Sequence, residues 1–65
     1  MSGFADLYDI FECLPSGDLA WRVSCANLEQ VHEKLAEFAK SSKNEFYAKD
    51  SNRKLVVARV NESGL

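Results

Sequence analysis

Cys13, Cys25 and His32 are the side chains of this chain best suited to nucleophilic or metal chemistry, and their spacing decides what they can do. A zinc site would need both cysteines, the histidine and a carboxylate. Such sites are built on short C-x-x-C or H-x-x-x-H pairs that pre-form half the coordination sphere, and the chain contains neither. Cys25 with His32 as nucleophile and base would also need a third group to orient the imidazole, and none is evident. His32 lies between Glu29 and Glu33 on the flank of a predicted helix, where it reads as a solvated surface residue. The glycines, at positions 3, 17 and 64, do not form a phosphate-binding loop ahead of that helix. The sequence therefore predicts no catalytic residues, no metal site and no cofactor. A domain this small is not expected to enclose a substrate pocket.

The elements around these residues follow from pattern. Tyr8–Leu14 reads as a strand, and Leu19–Cys25 alternates apolar and polar residues. Between them "PSG" predicts a three-residue loop, with Pro15 fixing φ and Gly17 taking the left-handed position. Leu14 then faces Asp18, Cys13 faces Leu19 and Phe11 faces Trp21. Cys13 and Cys25 fall at opposite ends of this hairpin, roughly 16 Å apart at strand rise, so an intramolecular disulfide is excluded. They read as free thiols of a reducing compartment.

Asn27 is a good N-cap with Gln30 completing a capping-box variant. Leu28, Val31, Leu35, Phe38 and Ala39 then fall at helical spacing, and the helix ends within "SSKN". Phe46–Lys49 and Leu55–Val60 form a second strand pair around "DSNR", with Asn52 expected in the left-handed position of its loop. The order is ββαββ, an α+β domain of two layers: a four-stranded antiparallel sheet with one helix packed on one face. Strand order is left open by the crossover through the helix. Residues 1–65 make a single domain, with 1–6 and 61–65 expected to fray.

The preferred registers gather Phe11, Leu19, Trp21, Val23, Leu28, Val31, Leu35, Phe38, Phe46 and Val56 into the core. They leave Tyr8, Ile10, Tyr47, Leu55 and Val57 on the sheet face away from the helix. That surplus is too apolar for open water and predicts a contact surface. A domain of 65 residues buries only about 60% of its unfolded surface, and a homodimer would strengthen a marginal core. Self-association through the uncovered face or edge is the expected function. The alternatives are single-stranded nucleic-acid binding on the open face, capture of a peptide at an edge strand, and, in a monomer, the segment around Phe4 folding back over the face.

Composition narrows the partners. The net charge is −2 with 8 Lys and Arg dispersed along the chain, which argues against nucleic acid. No run approaches the roughly 20 apolar residues of a membrane span, and no secretory signal is seen, so a cytoplasmic location without a membrane partner is expected. "NES" at Asn61–Ser63 is read as a chance match to a glycosylation acceptor.

"YDIFECLPSGDLAW", the helix and "EFYAKD…VVARVN" together resemble small uncharacterised bacterial single-domain proteins, over roughly Tyr8 to Asn61. That resemblance implies the ββαββ order and a bacterial, cytoplasmic setting, with no activity attached.

Overall fold

In the computed structural model, which describes residues 7–61, the elements are β1 (Tyr8–Cys13), β2 (Leu19–Cys25), α1 (Leu28–Ser41), β3 (Glu45–Asp50) and β4 (Leu55–Val60). The strands form one antiparallel sheet in the order β2-β1-β3-β4. The helix links an edge strand to a central one, crossing over β1. The predicted fraying of 1–6 and 62–65, and the fold-back around Phe4, lie outside the described residues. Asn61 is not frayed: its side-chain amide donates to the Ser42 and Asn44 carbonyls at 2.8 and 3.1 Å.

The first turn is the predicted one. The Leu14 amide donates to the Asp18 carbonyl and the Gly17 amide to the Leu14 carbonyl, both at 2.9 Å, with Gly17 at φ 97°. Cys13 pairs with Leu19 and Phe11 with Trp21. Beyond that point the ladder departs from expectation. Ile10 pairs with Val23, so Arg22 is an extra residue in β2, a β-bulge. One inserted residue reverses which face the rest of the strand presents. Phe11, Cys13, Leu19 and Trp21 therefore share the face away from the helix, whereas Val23 and Cys25 join Tyr8 and Ile10 beneath it.

The expectation that Tyr8 and Ile10 lie on the open face is thus corrected. Ile10 is fully buried beside Val31 and Leu35, and Tyr8 packs against the same cluster. Phe46, Ala48 and Cys25 complete the buried core, with Val23, Phe38, Ala58 and Val60 around it. Phe38 and Phe46 stack with ring centroids 4.8 Å apart and planes 3° from parallel, a contact beyond simple area burial. Of the predicted core, Leu19, Trp21, Leu28 and Val56 are exposed instead, and Phe11 is half-buried on the other face.

The helix begins as predicted. Asn27 Oδ1 accepts from the Gln30 amide at 2.8 Å, and Gln30 Oε1 accepts in return from the amide of Ala26 at 3.0 Å. That reciprocal bond lands one residue earlier than in a standard capping box.

The second hairpin corrects further expectations. Asp50 ends β3 rather than opening the loop. Its buried carboxylate accepts the amides of Asn52 and Arg53 at 2.9 and 3.0 Å. The left-handed residue is Lys54, φ 61°, whose amide donates to the Asp50 carbonyl at 2.7 Å. Ala48 pairs with Ala58 and Lys49 with Val56, which makes Val57 a second bulge. That bulge moves Val56 from the core to the open face. Leu55 pairs with Asp50 and so falls on the helix side of the sheet, yet it stays exposed.

Candidate interaction surface

The open face can be read row by row from the registers. Nearest the first turn, Leu19, Cys13 and Glu45 lie side by side on β2, β1 and β3. The middle row is Trp21, Phe11, Tyr47 and Arg59, running across all four strands. The far row is Ser24, Asp9, Lys49 and Val56. Three aromatic rings therefore cross the sheet in neighbouring positions. Phe11 and Tyr47 are in contact, with centroids 5.6 Å apart, and Trp21 is 56% exposed. Burial pushes the Tyr47 hydroxyl up, with the neighbouring Cys13 and Glu45 adding to it.

Arg59, Glu45 and Asp9 on this face are each held by partners within the chain. Arg59 Nη1 lies 3.4 Å from Glu45 Oε2 across the β3–β4 pair. Asp9 takes a hydrogen bond from Ser51 Oγ at 2.6 Å on Oδ2, and from Ser24 Oγ at 2.9 Å and Trp21 Nε1 at 3.2 Å on Oδ1. With Lys49, the face carries two acids and two bases. On the other side of β1, at the turn end, Glu12 Oε1 accepts from Arg22 Nε and Nη2 at 2.8 and 2.6 Å, and Oε2 from Asn44 Nδ2 at 2.6 Å. The bulge at Arg22 carries its guanidinium to this carboxylate, and Asn44 is held in turn by the Asn61 contact to its carbonyl.

No family model matches the chain, and no curated protein or solved structure does. The α+β architecture therefore stands on the chain's own geometry.

The chemistry-bearing residues are dispersed. Cys13 and Cys25 are free thiols at opposite ends of the first hairpin, as their spacing required. Burial pushes both thiols up, away from the reactive thiolate. A depression of about 280 Å³ opens beside Cys13, lined by Leu14, Pro15, Lys43, Asn44 and Glu45. The adjacent Glu45 carboxylate further disfavours a thiolate there. His32 is exposed on the helix. Among the described residues no cluster could hold a metal ion, and no helix is long and apolar enough to cross a membrane.

Of the five predicted contact residues, Tyr47 lies at the centre of the open face and Val57 is the exposed bulge residue of β4. Leu55 is exposed at the sheet's end, and Tyr8 and Ile10 belong to the helix side. Sequence reasoning missed Phe11, Leu19, Trp21 and Val56 as surface residues, and it missed Asp9 and Glu12 as organising carboxylates.

Those two carboxylates make stability acid-sensitive. The Ser51 hydroxyl, with Ser24 and Trp21, holds Asp9 below the usual carboxylate range, and Asn44 with Arg22 does the same for Glu12. A carboxyl group whose folded-state pKa is depressed stabilises the fold above its unfolded pKa, near 4. That contribution is lost as pH falls through the lower folded value. Urea unfolding midpoints should be level from neutral pH to about 5 and decline below about 4; a midpoint unchanged down to pH 2.5 would contradict these assignments.

Proposed function

We propose that this chain is a non-enzymatic interaction module that associates with a second copy of itself, the two open sheet faces meeting. The observation that carries this reading is the row Trp21, Phe11, Tyr47 on a sheet whose one helix among the described residues lies on the opposite face. Contiguous apolar surface on a small domain marks a contact site, and aromatic residues supply most of the energy at such sites.

The occupant is argued from charge and from the edges. Asp9 and Glu45 balance Lys49 and Arg59, so the face has no net field, and a self-complementary two-fold contact needs none. Both edge strands carry a bulge, Arg22 in β2 and Val57 in β4. Bulges blunt an edge against strand addition, which favours the face over an edge and weighs against peptide capture. A cytoplasmic setting, with both thiols reduced, belongs to the same reading.

Nucleic acid is the second reading, favoured by the same three rings ending at Arg59, since aromatic rows on a sheet can stack bases. The balanced charge of the face weighs against it, because a polyanion calls for a basic footprint.

Backbone NMR spectra recorded over a dilution series test the assignment. The amides of Phe11, Trp21, Tyr47 and Val56 should shift with concentration while those of Glu33 and Glu37 on the helix stay still. Shifts confined to the helix would place the contact elsewhere.

A further inference from the structure

Trp21 sits on an edge strand, more than half exposed, where packing alone leaves a large indole free to swing between rotamers. One polar contact restrains it. Its Nε1–H donates to Asp9 Oδ1 at 3.2 Å, across to the central strand β1. Asp9 is itself fixed from two sides, by Ser24 Oγ of β2 at 2.9 Å and by Ser51 Oγ of the β3–β4 loop at 2.6 Å. Its lateral neighbour on β3 is Lys49. The carboxylate is thus anchored before it meets the indole, and an anchored acceptor is what a directional restraint requires.

We propose that Asp9 is the positioning residue of the open face, holding the Trp21 indole in the one orientation against which a second copy packs. This rests on the reading of that face as the self-association surface, and it adds the residue that pre-organises it. A side chain already ordered in the free domain does not have to be ordered on association, and that ordering is a substantial opposing contribution in protein contacts. In a two-fold dimer the saving occurs twice, once for each copy.

Trp21 is the only tryptophan, so its indole N–H gives one resonance and one fluorescence signal. We expect Asp9→Leu to leave the indole mobile, seen as a loss of its heteronuclear NOE in dilute protein, and to raise the dimer dissociation constant about tenfold or more. Asp9→Asn, which keeps an acceptor oxygen for the indole, should restore both readouts. If Asp9→Leu fails to fold, the double variant Ser24→Ala/Ser51→Ala, which slackens the carboxylate, takes its place. An indole that stays ordered without its anchor overturns the proposal, as does one that becomes mobile with the dissociation constant unchanged. Wild-type protein monomeric at every concentration would fail the self-association reading instead, and the NOE comparison would still decide whether Asp9 orders Trp21.

Discussion

Replacing Trp21 with lysine is expected to keep the domain a folded monomer where the self-association proposed above would pair it, raising the dissociation constant by a hundredfold or more. Truncating an aromatic hot spot in an interface costs about 2 kcal/mol or more, and placing a charge there costs more. Each 1.4 kcal/mol is a factor of about ten, and a two-fold contact contains the substitution twice. The fold should survive, because Trp21 is exposed on an edge strand and lysine is well tolerated at such edges. The new ammonium would also lie near the Asp9 carboxylate that now accepts the indole N–H. Leu28→Lys is the matched control. Leu28 is comparably exposed but sits on the helix, so that variant should keep the wild-type mass. Light scattering on both variants, with circular dichroism to verify folding, reads the result. Equal effects from the two substitutions would remove the open face from consideration.

The second large effect concerns the neighbours Ile10 and Phe11, which point to opposite faces. Ile10 has no exposed surface and lies in the cluster with Val31 and Leu35. Ile10→Ala should lower stability by about 2–5 kcal/mol, the range for deleting a large aliphatic side chain from a close-packed core. In a domain of this length that lowers the melting temperature by roughly 10 °C or more. Phe11→Ala removes a half-buried ring whose main partner is Tyr47, and it should weaken association more than it weakens the fold. Denaturant melts of both variants at concentrations below dimerisation separate the two effects. A milder loss for Ile10→Ala than for Phe11→Ala would mean that the faces of β1 are reversed.

That reversal is where sequence reading and structure part. Element type was legible throughout: the Pro15–Gly17 loop, the Asn27 cap and the Val31/Leu35/Phe38 stripe each have a local physical cause written in a few adjacent residues. The hairpin register near the turn was legible for the same reason. What the residues did not reveal were the bulges at Arg22 and Val57, since a bulge is chosen by packing against distant strands and leaves no local composition mark. β1 compounds the difficulty. Tyr8, Ile10 and Glu12 on one side, and Asp9, Phe11 and Cys13 on the other, are equally mixed, so alternation cannot say which side meets the helix.

The consequence for the site is specific. A surplus of apolar surface opposite the helix was readable from the count of large side chains against a single amphipathic helix, and Tyr47 was placed on it correctly. Two of its other members, Tyr8 and Ile10, exchanged places across the sheet with Phe11 and Trp21. The roles of Asp9 and Glu12 were hidden for a different reason. Their partners Ser51 and Asn44 lie 42 and 32 residues away along the chain, and hydrogen bonds of that separation exist only once the sheet has assembled.

The most direct test of the central claim is the solution mass, measured by light scattering over a hundredfold dilution at low and moderate salt. Self-association through the open face predicts twice the 7.3 kDa of the chain at high concentration, falling toward a monomer on dilution and changing little with salt, because the contact is apolar and its charges balance. A mass of one chain at every concentration would contradict it.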